Sequence, residues 1–189
     1  IFPASSGQII GEGIYNQGAT ALLSVSTNIN NGYNFDFWSG SHSGSESPLN
    51  ILVNSNINLT ANFRLSNYRL SVNAGLGGSV VGSGNFSHGS LTTISASPSS
   101  GYSFNKWIGN GITDAFSHTT TVEMTQDRNI TAQFNLLEYT ISSTAETGGT
   151  VNDINGTYPS QHIIDPIIAT PGTGYTFSNW IQSGPRLDK

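Results

Sequence analysis

The chain has no cysteine in its 189 residues, which excludes disulfides and cysteine-ligated metal sites but leaves the compartment open. Charge is scarce too: charged residues make up 9%, against roughly 25% in an average soluble domain. Only six are Lys or Arg and the net charge is −5, so no positive cluster is present to hold a nucleic-acid backbone. No apolar run approaches the ~20 residues of a membrane-spanning helix, so this segment is not expected to insert into a membrane. The opening residues, "IFPASSGQII", lack the basic-then-apolar plan of a signal peptide. Either export does not use that route or the chain is an internal piece of a longer one, and the repeats described next favour the second.

What fills the chain instead is Gly, Ser, Thr and Asn, interleaved with Val, Ile, Tyr, Phe and Trp. Disordered chains are poor in β-branched and aromatic residues, whereas these residues suit a pleated, half-buried surface. The composition predicts an all-β protein of strands and turns.

One aromatic phrase occurs three times: "GYNFDFWSG" at 32–40, "GYSFNKWIGN" at 101–110 and "GYTFSNWIQSG" at 174–184. A turn and a β-branched stretch precede each copy, as "SGQII" at 6–10, "GGSVV" at 77–81 and "GGTVN" at 148–152. "NLTANF" at 58–63 and "NITAQF" at 129–134 follow the first two. A period of about 70 residues suits a complete small module, since solenoid and propeller units run at roughly 20 to 50. The expected modules are 1–63, 64–134 and 135–189, the first without most of its opening strand and the third without its closing strands. The chain is accordingly expected to be a fragment of a longer array.

The middle unit parses most clearly. Tyr68, Leu70, Val72 and Ala74 alternate with polar residues, the period of a half-buried strand. "GLGG" at 75–78 predicts a tight hairpin turn, with a second strand through Ser79–Val81. "GSGNFSHG" at 82–89 reads as another turn, and Thr92, Ile94 and Ala96 form a third strand ended by Pro98. A polar loop over 110–117, with room for one helical turn at 113–116, leads to strands pointing Val122 and Met124, then Ile130, Ala132 and Phe134, inward.

The order "YRLSVNAGLGGSV", "GYSFNKWIGN", "TVEMTQDRNITAQF" resembles the divergent InlB-type B repeat, a module of bacterial surface proteins. The resemblance implies small β-grasp-like modules in tandem; immunoglobulin-like sandwich modules are the alternative. It also implies an extracellular or cell-surface location, work as a spacer, adhesion segment or appendage of an enzyme, and no catalytic residues to transfer. In the first repeat "SSGQ" stands where the family has a double glycine.

The residues themselves show little chemistry. His42, His88, His118 and His162 lack metal-ligand spacing, and His42 and His88 read as solvated loop residues. "GSHSG" at 40–44 is not a nucleophile elbow. Glu123, Asp127 and Asp114 form no repeated pair of the kind glycoside hydrolysis requires. "NDING" at 152–156 lacks the later bidentate Glu of a calcium loop and reads as a turn. "GLGGSVV" is not a dinucleotide fingerprint, because Val80 takes the last glycine's place. The N-x-[ST] sequons at Asn58, Asn85, Asn129 and Asn155 are expected by chance in so Asn-, Ser- and Thr-rich a chain. No catalytic, cofactor or metal residue is expected.

The aromatics offer the one real choice. Trp38, Trp107 and Trp180 could stack sugar rings, but a small module needs large apolar anchors, and an aromatic buries about 150–250 Å². Core anchoring is the stronger reading for the Trp residues. Tyr33, Tyr102 and Tyr175, with hydroxyls suited to a rim, are the candidate ligand contacts. The expected function is a non-catalytic extracellular spacer, stalk or adhesion segment; the alternative is carbohydrate binding as an accessory module. Its partners would be a cell-surface or extracellular polysaccharide, or a protein of a host or neighbouring cell.

Overall fold

The computed structural model describes residues 6–181, which form strands and turns with one 3-10 turn at Ile29–Asn31. The first unit contains β1 (Gly7–Ile10), β2 (Ala19–Thr27), β3 (Tyr33–Gly40), β4 (Leu49–Val53) and β5 (Leu59–Leu65). The middle unit contains β6 (Asn67–Ala74), β7 (Gly78–Val81), β8 (Gly84–Ser87), β9 (Leu91–Pro98), β10 (Tyr102–Ile108), β11 (Thr119–Glu123) and β12 (Arg128–Leu136). The third contains β13 (Glu138–Ile141), β14 (Gly149–Val151), β15 (Gly156–Pro159) and β16 (Ala169–Pro171).

In the middle unit one sheet runs β10-β12-β6-β8 and the other β11-β9-β7. The central pair β12–β6 is parallel, with Arg128 opposite Leu70 and Ala132 opposite Ala74; the other pairings are antiparallel. A parallel pair needs a long crossover, and here the crossover contains the whole second sheet. Leu70 and Val72 of β6, Ile94 and Ala96 of β9, Trp107, Val122, Met124, Ile130 and Ala132 fill the space between the sheets. These are the inward positions that the alternation predicts. The all-β, tandem-module expectation holds. The parallel central strands fit the β-grasp-like reading, and the second sheet gives the unit the section of a sandwich.

Three local expectations are corrected. Residues 82–89 are not only turn, because Gly84–Ser87 is a strand on the free edge of β6. Its glycine-rich composition hides a strand whose bonds come from β6 and whose Phe86 packs on the core. "GLGG" does not close a hairpin; with Gly77 at φ +99° it carries the chain from β6 to β7 in the opposite sheet. Residues 113–116 form no helix. Thr113 is tied to Thr121 through its main chain and its hydroxyl, and Asp114 accepts the Phe116 N–H in a local turn.

The first unit repeats the plan with sheets β1-β2-β4 and β3-β5, closing over Leu23, Trp38, Leu49, Ala61 and Phe63. In the third unit β13 pairs with β15 and β14 with β16, and Trp180 is 52% exposed.

Candidate functional site

The spelling of the aromatic phrase follows from a bulge. Tyr33 and Phe35 are two residues apart and share a face, but Trp38 is three further on. The register of β3 against β5 shifts between Phe35 and Phe37, and that of β10 against β12 shifts between Phe104 and Lys106. One extra residue returns the Trp to the face of the Phe. The pairs then pack alike: Phe35–Trp38 at 5.3 Å and 57°, Phe104–Trp107 at 5.6 Å and 56°, Phe177–Trp180 at 5.3 Å and 55°.

Trp38 and Trp107 are core residues, as expected. Each also pins the loop that follows it. The Trp38 main-chain N–H donates to Gly44 O at 2.7 Å and its indole to Glu46 O at 2.8 Å. Trp107 donates to Ala115 O at 2.8 Å and, through its indole, to Ser117 O at 2.9 Å. With its N–H satisfied, the indole is buried without an orphaned donor. Trp180 is exposed and is no core anchor among the described residues, because no closing strand lies over it there.

The candidate contact residues divide. Tyr33 and Tyr102 are half-buried and Tyr175 is 57% exposed. The Tyr102 ring lies on Gly77 and the Tyr175 ring on Gly148, both at positive φ. The structure places each Tyr in its own unit and does not bring the three together into one described cluster.

The histidines divide too. His42 is partly exposed and its Nε2 meets Glu46 Oε1 at 2.7 Å. The Glu46 carboxyl lies below its ordinary range, first because its own main-chain N–H donates to it and then through His42. His88 is not a solvated loop residue. It packs on Tyr68 at 5.9 Å and on Gly32 of the preceding unit, and its buried Nδ1 has no hydrogen-bond partner. Among the described residues no three His, Asp or Glu gather to hold a metal ion.

His88 marks a feature of the boundaries between units. Between β5 and β6 stands one residue, Ser66, which donates to Gly32 O at 2.7 Å and accepts from the His88 N–H at 2.8 Å. Between β12 and β13 stands one residue, Leu137, which donates to Gly101 O at 2.8 Å and accepts from the Ser160 N–H at 2.7 Å. The two joints are therefore built alike. Each takes its acceptor from the glycine that opens an aromatic phrase, at φ +70° for Gly32 and +82° for Gly101. Gln161 adds a bond from its side-chain amide to Ser100 O at 3.3 Å. The glycine before each Tyr was the available signal, but the sequence gives no view of its carbonyl.

A model of the divergent InlB B-repeat domain matches residues 1–67, 68–137 and 139–188. The chain belongs to the divergent InlB B-repeat family. No curated protein and no solved structure matches it. Membership makes this B-repeat segment a repeat module of bacterial surface-protein type. Ser66 and Leu137 are the last residue but one of the first match and the last residue of the second, so both joints lie at repeat boundaries.

Proposed function

We propose that this B-repeat segment is a non-catalytic extracellular spacer that sets the distance between other parts of a surface protein. The observation that carries the reading is the joint. One residue separates consecutive strands, and both of its main-chain groups are bonded, one to each neighbouring unit. A flexible linker would leave those groups to water and let the end-to-end distance spread. A bonded single residue fixes how each repeat leaves the one before it, and stacking repeats in series then defines a length.

The test compares the chain with Ser66→Pro, which removes the N–H that Gly32 accepts, and with a Gly-Ser-Gly-Ser insertion after Ser66. Spin labels in the first and middle units should give a narrow distance distribution in the parent chain and broad ones in both variants. An equally broad distribution in the parent chain would refute the spacer reading.

A further inference from the structure

The middle repeat is electrically balanced, with three Lys or Arg and three Asp or Glu between 67 and 137, but its charges are not evenly spread. The even-numbered residues of β6 and β12 pack into the core, so the odd-numbered ones form the outer face of the β10-β12-β6-β8 sheet. That face holds Arg69 on β6, and it holds Lys106, which the bulge in β10 places opposite Gln133 of β12. Between the two cations stand amides and hydroxyls: Ser71, Asn73, Asn129, Thr131 and Gln133. The acids of the repeat are elsewhere or engaged. Asp114 is in the loop after β10 and Glu123 is on β11 of the other sheet. The Asp127 carboxylate accepts the Arg69 main-chain N–H at 2.8 Å. The third cation, Arg128, donates to Glu123 O at 2.7 Å and to Thr125 Oγ1 at 3.0 Å. Arg69 and Lys106 make no ion pair among the described residues.

Beside Arg69 the face opens into a groove of about 540 Å³, lined by Arg69, Ser71, Asn73, Ser83 and Asn85. The groove exists because β8 begins only at Gly84, opposite Leu70, where the chain arrives from β7 in the other sheet. Ser83 stands in for the missing strand: its hydroxyl accepts the Val72 N–H at 2.9 Å and donates to Val72 O at 3.4 Å. The floor is thus satisfied and the walls are polar. Asn73 donates to Asn129 Oδ1 at 2.6 Å, and both residues are exposed. The pair therefore offers the Asn73 oxygen as an acceptor and the Asn129 nitrogen as a donor.

We propose that this face binds a linear, carboxylate-bearing polysaccharide, with one carboxylate on the Arg69 guanidinium in the groove and the polymer crossing β6 and β12 toward Lys106. A guanidinium holds a carboxylate through two parallel N–H bonds, and amides and hydroxyls both donate to and accept from sugar hydroxyls. Lys106 lies about 20 Å farther along the strands than Arg69 and about 10 Å across them, a span that asks for an oligomer. No aromatic side chain stands on the face, so a neutral sugar finds no ring to stack on and charge decides the binding. The candidate Tyr of this repeat takes no part, since the Tyr102 ring lies over Gly77. The site asks only for the middle repeat and is independent of the spacer reading. Against a net charge of −5, the attraction is local and screened by salt.

The experiment titrates the 189-residue chain with an oligogalacturonate, with its methyl ester, which keeps the sugars and loses the charge, and with dextran sulfate, which is charged without carboxylates. Calorimetry should show binding of the oligogalacturonate that weakens as salt is raised, and none of the ester. Arg69→Gln should weaken it about tenfold or more, and Lys106→Gln and Asn85→Ala less. Arg64→Gln removes the same charge from the first repeat, where Arg64 faces Asp36 at 3.4 Å, and should leave the affinity unchanged. Arg69 is exposed, so the melting curve of Arg69→Gln should match the parent's, which separates lost binding from lost folding. No binding of the oligogalacturonate, equal binding of its ester, or dextran sulfate bound as tightly overturns the proposal. So does an Arg69→Gln chain that binds like the parent or no more weakly than Arg64→Gln.

Discussion

The ring of Phe134 lies on Gly78, so close that a Cβ there would overlap it. Tyr102 sits in the same way on Gly77, and in the first repeat Phe63 sits on Gly7. Double glycine, aromatic phrase and closing strand recur together because they meet at one contact. Gly78→Val is therefore expected to destabilise the middle repeat by about 1–3 kcal/mol, the usual cost of overpacking. Gly18→Ala meets nothing within 4 Å and carries only the strain of φ +81°, about 1–2 kcal/mol. Urea unfolding of the two variants should rank them in that order or bring them level; a Gly78→Val chain as stable as the parent would refute the contact.

The three Trp residues separate by burial. Trp107→Ala removes a side chain that is 2% exposed along with the indole bond to Ser117, and is expected to cost about 3–5 kcal/mol. Trp180→Ala, at 52% exposed, is expected to cost less than about 1 kcal/mol. Strand circular dichroism during denaturation checks both values.

His88 should be replaceable without loss. A buried nitrogen with no partner costs about 1–3 kcal/mol, and its neighbours are the Tyr68 ring and Gly32. His88→Phe keeps a ring between them and removes the orphaned atom, so the expected change is neutral to stabilising. Destabilisation in the melting curve would show that the imidazole has work the geometry does not reveal.

The loop after Trp38 should loosen in acid. Glu46 is held below its ordinary value of 4.5, first by its own main-chain N–H and then by His42. A depressed carboxyl stabilises the folded state above its ordinary value, and that contribution is lost as pH falls below 4.5 through the lowered folded value. Both side chains are open to solvent, so the effect is local. Protection from amide exchange over 41–46, taken relative to the intrinsic rate at each pH, should fall below pH 4.5 without a matching change in the middle repeat, and Glu46→Gln should abolish that pH dependence.

Much of the fold was legible because one face of each strand is buried, and burial writes itself as alternation. Leu70/Val72 and Ile130/Ala132 were visible in that way. β8 was not, because Gly84–Ser87 takes its bonds from the edge of β6 and offers only Phe86 as a pattern. The sheet-to-sheet passage at "GLGG" was equally hidden, since positive φ at Gly77 serves a hairpin and a crossover alike. The joints were invisible for a different reason. Ser66 and Leu137 act through main-chain atoms, which every residue carries, so the side-chain alphabet does not report them.

The placement of β6 beside β12 also decides how the middle repeat meets a pulling force. The chain enters the repeat at the start of β6 and leaves it at the end of β12, and the two strands are parallel neighbours. Tension along the array drags them in opposite directions along their length, so the pairing from Leu70 to Ala74 bears the load together and does not open one bond at a time. Such a repeat should yield at a higher force than its modest core suggests. Pulling single molecules checks this, with Ser71→Pro in the paired stretch expected to lower the yield force far more than Ser90→Ala in the turn outside it.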